Sequence, residues 1–328
     1  MPPRETDLTV AVTGPTGTFG YGLIPFLQSD ERIARIVGIA RRAFDPAAEG
    51  WSKMDYRQGD VREPDTLEAA FEGADVVVHL AFMITGTASR ETIRAINVEG
   101  TLNAFRAAAA AGAKRFVYAS SVAAYGFHRD NPVGMDEDWP VRPADHLFYA
   151  QEKAEIEQLL QEEAAALPDL ALYLLRPPIV LGPHTMGAKD VLPGPLAPLG
   201  RRLGGLLGRM PVPLPVQFIH EADVGRALLL CIVGAGPPGA YNITGDGVMD
   251  GAEVARELGF TPVPIPAGAV RPWARALAGL PSLPPAAAWI EAASHPAIMD
   301  AGRAKAELGW KPRYSSLEAL RDTLKPRA

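Results

Sequence analysis

Tyr149 and Lys153 stand four residues apart in Phe148-Tyr149-Ala150-Gln151-Glu152-Lys153. In a helix that spacing brings the two side chains onto one face, and the good helix formers from Ala154 to Ala166 predict a helix here. The chemistry such a pair could do is proton transfer. A free tyrosine, with a pKa of about 10, is a poor base, but a neighbouring ammonium favours its phenolate. Taken alone, the pair is more simply a packed ring with a lysine snorkelling past it, so its meaning rests on what surrounds it. Ile156 and Leu160 continue the same stripe, which would turn Glu152, Glu155 and Gln158 to water.

Something must deliver a reaction partner to that helix. Leu8 to Val12 is a short apolar, β-rich run, followed at once by Thr13-Gly14-Pro15-Thr16-Gly17-Thr18-Phe19-Gly20 and a helical pattern through Leu27. Strand, glycine turn and helix in that order let backbone N–H groups and a helix N-terminus approach a pyrophosphate. The second strand, Ile33 to Ala40, should end at the group that reads the adenosine ribose. Arg41 and Arg42 stand there. An acidic residue would take a ribose hydroxyl, whereas two arginines offer planar donors to a 2′-phosphate, which favours NADP over NAD. The alternative is that one or both are ordinary solvated charges at a strand end.

The pattern repeats along the chain. A polar turn at Gly59-Asp60-Val61 leads to a helix opened by Pro64 and closed near Gly73, then a strand over Val76 to Leu80. A long helix from about Arg90 to Ala111, ending at Gly112, precedes a strand over Phe116 to Ala119, and another buried strand covers Leu170 to Leu175. Alternating strands and helices predict a doubly wound α/β fold, a parallel sheet covered on both faces with its ligand at the carboxyl ends of the strands. His79, inside a strand, reads as a satisfied core histidine. Asp136-Glu137-Asp138 reads as loop or cap chemistry.

From Pro177 the density of Pro and Gly rises and long regular elements are not expected. Leu196 to Met210 carries Arg201, Arg202 and Arg209 and no acid, the composition of an anion-binding lid or of a solvated segment. Glu307 to Trp310 and Ser316 to Leu324 read as two short capping helices. The division this predicts is a dinucleotide-binding domain over 1–176 and a smaller, mainly substrate-binding region over 177–328, with segments near 216–245 returning to the first domain's sheet.

The chain has 328 residues, a formal net charge of -6 and a pI near 5.6. Its cations are scattered rather than grouped, which argues against nucleic acid as a partner. The one cysteine, Cys231, falls in an apolar run and reads as a buried small hydrophobe, with no disulfide framework to suggest an oxidising compartment. With no apolar stretch long enough for a bilayer, no membrane partner is expected and the location expected is cytoplasmic.

In this order the segments resemble the extended short-chain dehydrogenase/reductases, or NAD-dependent epimerase/dehydratase family. They are Thr13 to Gly20, Gly59-Asp60-Val61, His79-Leu80-Ala81, Asn97-Val98-Glu99-Gly100-Thr101, Ser120 through Gly126, Tyr149 with Lys153, Leu175 through Pro183, and Phe218 through Val224. The resemblance implies a Rossmann fold and a catalytic set of Ser121, Tyr149 and Lys153, the last two also beside the cofactor; no metal is expected. It implies a cofactor held by Gly14, Thr16, Gly17, Thr18, Phe19 and Gly20 at the pyrophosphate, Asp60 and Val61 at the adenine, and Leu80, Ala81 and Phe82 along its middle. Asn97 would lie beneath the nicotinamide ribose, with Ser120, Pro178 and Ile179 also beside the cofactor. Helix pairs commonly dimerise in this family, so a homodimer through the helices at Arg90 and Tyr149 is open.

Two departures narrow the chemistry. Sugar-nucleotide members usually carry an asparagine where this chain has Ile179, and the dehydratase branch places an acidic pair where Val122-Ala123 follows Ser121. Both disfavour those substrates. The pattern looks more like the branch that oxidises or reduces hydroxyls on partly apolar small molecules, with NADP, or else NAD, as cofactor. An epimerase using the same triad is the alternative, and a non-catalytic nucleotide sensor a third reading.

Overall fold

The structure, a computed structural model, describes residues 6–84, 88–145, 147–185, 209–211, 215–259, 261–263 and 295–325. Seven parallel strands form its central sheet. Near-continuous runs of Val, Ile and Leu make β1 (Leu8–Thr13), β2 (Ile33–Ala40), β4 (Val76–His79) and β6 (Ala171–Arg176). Such runs suit strands covered on both faces. With β3 (Met54–Gln58), β5 (Arg115–Ala119) and β10 (Gly239–Asn242) the order across the sheet is β10-β6-β5-β4-β1-β2-β3. β1 pairs with both β2 and β4. The order therefore reverses at β1, which opens a crevice at the carboxyl ends of β1 and β4, where a doubly wound sheet binds its ligand.

Helices cover both faces. On one, α1 (Thr18–Ser29) lies against α6 (Glu221–Ile232), and the approach needs glycine. A Cβ on Gly225 would lie 1.9 Å from the Gly22 carbonyl oxygen. Leu23, Leu27, Val224, Leu228 and the buried Cys231 fill this layer. On the other face α2 (Pro64–Phe71), α4 (Gly100–Ala110) and α5 (Phe148–Ala165) cover Phe116, Tyr118 and Leu174. A smaller cluster of Leu181, Phe218, Met249, Val254, Ala319 and Leu320 lies beside the sheet.

Several expectations are corrected. The helix expected from Arg90 to Ala111 is α3 (Arg90–Arg94) joined to α4 by a wide π-helical turn, Ala95–Glu99, with Asn97 at its centre. Despite the Pro and Gly after Pro177, Glu221–Ile232 is a 12-residue helix, because its Val, Leu and Ile recur at helical spacing and bury. Within 216–245, Gly239–Asn242 joins the central sheet beside β6, whereas β9 (Phe218–His220) pairs with β7 (Ile179–Leu181) in a separate two-stranded sheet. The helix near Glu307 covers Gly302–Glu307, and Gly309, at φ 64°, follows its end; the last helix is Ser316–Thr323. The segment read as an anion-binding lid or a solvated stretch lies outside the described residues, except that β8 (Arg209–Pro211) pairs with Thr261–Val263. No helix among the described residues is long and apolar enough to cross a membrane.

Candidate active site

The turn after β1 begins with a backbone that only glycine adopts easily. Gly14 has φ +69°, and a Cβ there would come within 3.0 Å of the Ala81 backbone. The turn can thus pack directly on the loop leaving β4. Gly17 differs: a Cβ would meet only the Gly14 carbonyl, at 3.4 Å. Gly17 caps α1, which begins with no side-chain cap and no acid in its first turn. An uncapped, acid-free helix start beside an open glycine fits an anionic dinucleotide. Thr16 and Phe19 flank this opening half-buried, and Gly20 packs on Pro15. Thr18 was expected to face the pyrophosphate, but its hydroxyl donates to the His184 carbonyl at 3.1 Å. His184 in turn stacks on Tyr21, with ring centroids 4.4 Å apart.

Arg41 and Arg42 follow β2 with exposed side chains. Their carbonyls are held from β3: Gln58 donates to Arg41 O at 2.9 Å and the Tyr56 hydroxyl to Arg42 O. Asp60, expected at the adenine, accepts from the backbone and guanidinium of Arg62. Arg62, with Arg41 nearby, keeps its carboxyl below the usual range. Val61 is buried against Gly100.

One hydrogen-bonded chain runs beneath the crevice. Thr101 donates to the Asn97 carbonyl, so its oxygen must accept from Nε2–H of His79, 3.1 Å away. Nδ1 of His79 then accepts from Thr13, at 2.9 Å, and the Thr13 oxygen accepts the N–H groups of Leu80 and Ala81. Burial pulls the His79 pKa down to about 3, so the ring stays neutral with Nε2 protonated. It is a core linker, as its position in a strand suggested. Asn97 was placed beneath a ribose, yet its side chain is spent inside the protein. Its carbonyl accepts from Met83 N at 2.7 Å, and its amide donates to Met83 O at 2.9 Å and Glu152 at 2.7 Å. Asn97 clamps the loop carrying Leu80, Ala81 and Phe82. Glu152 is thereby 4% exposed rather than turned to water.

Ser121, Tyr149 and Lys153 converge at the end of β5. Extended backbone at Ser121 opens the turn Val122–Tyr125, and its oxygen accepts from Ala123 N at 3.1 Å. Burial pushes the Tyr149 phenol up, and a hydrogen bond with Ser121 opposes that shift. Ile156 and Leu160 bury with Tyr149 and Lys153, the stripe that the spacing implied. Lys153 Nζ donates to Ala119 O at 2.6 Å and to the Tyr118 hydroxyl at 3.0 Å. Burial lowers its pKa to about 7, against the pull of Glu157 and Glu152.

Ser120, expected near the nicotinamide, points its hydroxyl at Glu157 and is 1% exposed. Glu157 also pairs with Arg176, at 2.6 Å, in a buried ion pair; Arg176 donates on to Tyr125, and Tyr125 to Asn242. Nothing in the sequence pattern singled out Glu157, although its place four residues after Lys153, on the inward stripe, was a signal. Pro178 is buried and Ile179 is 55% exposed. The described residues hold no group of His, Cys, Asp and Glu fit for a metal.

A doubly wound sheet with a glycine turn, a serine at the end of one strand and a Tyr/Lys pair on the following helix defines a class of dinucleotide-dependent enzymes. The chain belongs to the NAD dependent epimerase/dehydratase family, which it matches over residues 10–244. It is 28% identical over 97% of its length, and 84% of the relative's, to an uncharacterized protein of Mycobacterium tuberculosis. Over 34% of its length, and 40% of the relative's, it is 36% identical to L-arabinose 1-dehydrogenase (NAD(P)(+)) of Haloferax volcanii. Two solved structures share the fold. UDP-glucose 4-epimerase of Thermotoga maritima superposes with a TM-score of 0.72 at 19% identity, covering 96% of this chain and 97% of that one. The dTDP-glucose 4,6-dehydratase of Streptomyces venezuelae, with NAD bound, gives 0.70 at 21% identity, covering 96% and 95%.

Proposed function

We propose that the protein is an NAD(P)-dependent oxidoreductase acting between a secondary alcohol and a ketone of a small, partly apolar molecule. The observation that carries this reading is the meeting of Ser121, Tyr149 and Lys153 at the carboxyl end of β5, beside the crevice of the glycine turn. When bound, a nicotinamide cofactor supplies the two-electron acceptor or donor. The chain supplies the proton chemistry. Tyr149 takes the hydroxyl proton of an alcohol, or returns one to a ketone, because a carbinol oxygen cannot change its bonding without that transfer. Ser121 holds the same oxygen in line. Lys153 biases Tyr149 toward phenolate by its charge. The first turn of α1 and the space over Gly17 would hold a pyrophosphate, and Arg41 with Arg42 a 2′-phosphate, which favours NADP.

An apolar substrate is supported by Ile84 and Ile179, large side chains left 45% and 55% exposed just beyond the carboxyl ends of β4 and β6. The buried Val122-Ala123 after Ser121 brings no acid to the site, which weighs against dehydration. The second reading is an epimerase, favoured by the family's own description and by a shared fold with a 4-epimerase. It would use the same three side chains and keep its cofactor. A location in the cytoplasm and a homodimer through α3, α4 and α5 remain part of the proposal.

The test is to purify the protein without added nucleotide, denature it, identify anything released by mass spectrometry, and titrate the emptied protein with NADPH and NADH. An empty protein that prefers NADPH, with the preference lost in Arg41→Ala/Arg42→Ala, supports the dehydrogenase. Stoichiometric retained NAD overturns it in favour of the epimerase.

A further inference from the structure

The ammonium of Lys153 is enclosed on three sides. Ala119 O and the Tyr118 hydroxyl accept from it at 2.6 and 3.0 Å, and the Phe82 ring lies beneath it, its centroid 3.8 Å from Nζ. Tyr118 is 1% exposed in β5, between His79 of β4 and Leu174 of β6 in parallel register. A strand paired on both sides gives that phenol little freedom. The titratable groups facing Lys153 are His79 from β4, Tyr118 from β5, and Tyr149, Glu152 and Glu157 from its own helix. His79 is neutral, Glu152 is bonded to Asn97, and Glu157 to Arg176 and Ser120. Both carboxylates favour the ammonium by their charge, but its hydrogen bonds go to Ala119 and Tyr118. Among the described residues, Tyr118 supplies the side-chain oxygen that accepts from Nζ.

We propose that Tyr118 is a positioning residue for the Tyr149/Lys153 pair, holding the ammonium against Ala119 and Phe82 and so setting the pH at which Tyr149 takes its proton. The inference rests on Tyr149 being the acid/base. Tyr118 acts through Lys153 and moves no proton itself. An oxygen that accepts a hydrogen bond from an ammonium stabilises the charged form. Removing it leaves Lys153 one oxygen acceptor in a dry site, which deprotonates the lysine more readily. The phenolate of Tyr149 then loses part of its positive neighbour.

Tyr118→Phe removes one oxygen and keeps the ring in the core. The intact protein, labelled with ¹³Cζ-tyrosine and ¹³Cε-lysine and saturated with NADP⁺, would be titrated by NMR, with Tyr149→Phe and Lys153→Met assigning the two signals. In Tyr118→Phe the Lys153 midpoint should fall by about one pH unit and that of Tyr149 should rise, with the NADP⁺ dissociation constant unchanged. Tyr118→Leu should shift both midpoints in the same directions. Midpoints equal to wild type in both variants would overturn the role of Tyr118 alone. A Tyr149→Phe protein that turns over the alcohol or ketone found by screening as fast as wild type would instead overturn the acid/base reading.

Discussion

The Phe82 ring serves both members of the Tyr149/Lys153 pair: it meets Tyr149 edge-to-face, at 85° with centroids 5.5 Å apart, and lies beneath Lys153 Nζ at 3.8 Å. The residue comes from the loop after β4, which Asn97 holds through Met83. The wall of the site is thus carried by the π-turn at Ala95–Glu99, a deformation that often marks functional positions.

A cation over an aromatic face in a dry site contributes up to about 2 kcal/mol. Phe82→Leu keeps the apolar volume and discards that interaction. We expect single-turnover hydride transfer to slow by about 3- to 30-fold, with the unfolding midpoint close to wild type. An unchanged rate would reduce Phe82 to packing.

The two glycines of the turn should fail differently. Gly14→Ala forces a side chain into positive φ and against the Ala81 backbone, so both nucleotide binding and thermal stability should drop. Gly17→Ala adds a methyl group that meets one carbonyl at 3.4 Å. Its melting temperature should stay within about 3 °C of wild type while NADPH affinity falls at least about tenfold. Equal affinity in Gly17→Ala would remove the pyrophosphate from that opening.

Glu157→Gln leaves Arg176 charged and 3% exposed without its carboxylate. Breaking a buried pair from one side costs about 3–5 kcal/mol, which urea unfolding at pH 7 would read directly. The amide offers Ser120 and Arg176 one oxygen in place of two, which loosens Ser120, next to Ser121, so turnover should fall even where the variant is fully folded. A loss of stability below about 1 kcal/mol would mean that water reaches the pair.

His79 should make the fold acid-sensitive. Its pKa is depressed in the folded protein to about 3 from 6.5, so above pH 6.5 it is neutral in both states and costs nothing. Between 6.5 and 3 the unfolded chain binds a proton that the folded one refuses. That lowers stability by about 1.4 kcal/mol per pH unit. Unfolding free energies of His79→Gln and wild type, compared from pH 7.5 to 5, should diverge below 6.5, with the flatter limb in the variant. Parallel curves would show that water or a rearranged Thr101 satisfies the protonated ring.

Much of this site is legible in one dimension because its parts are local. Tyr149 and Lys153 share a helix face by spacing alone, Gly14 and Gly17 sit between a strand and a helix, and Ser121 lies two residues past β5. The stripe that buries Ile156 also carried a signal for Glu157, four residues beyond Lys153. The spacing alone does not reveal its role, because a carboxylate on an inward face needs a partner and Arg176 comes from β6, distant in the chain.

The alternation of apolar strands with amphipathic helices by itself determined the doubly wound sheet, since a strand buried on both faces needs a helix on each side. The helical period determined that Tyr149 and Lys153 lie together. What each polar group bonds to was decided only in three dimensions. Asn97, Ser120 and Thr18 read as ligand contacts and Glu152 as facing water, and each makes a side-chain hydrogen bond inside the protein. Hydrogen bonds between residues distant in the chain depend on strand register, on the π-turn and on which buried group lacks a partner. No local spacing encodes those distances, and the cost of leaving a buried polar group unpaired settles them only once the core has closed.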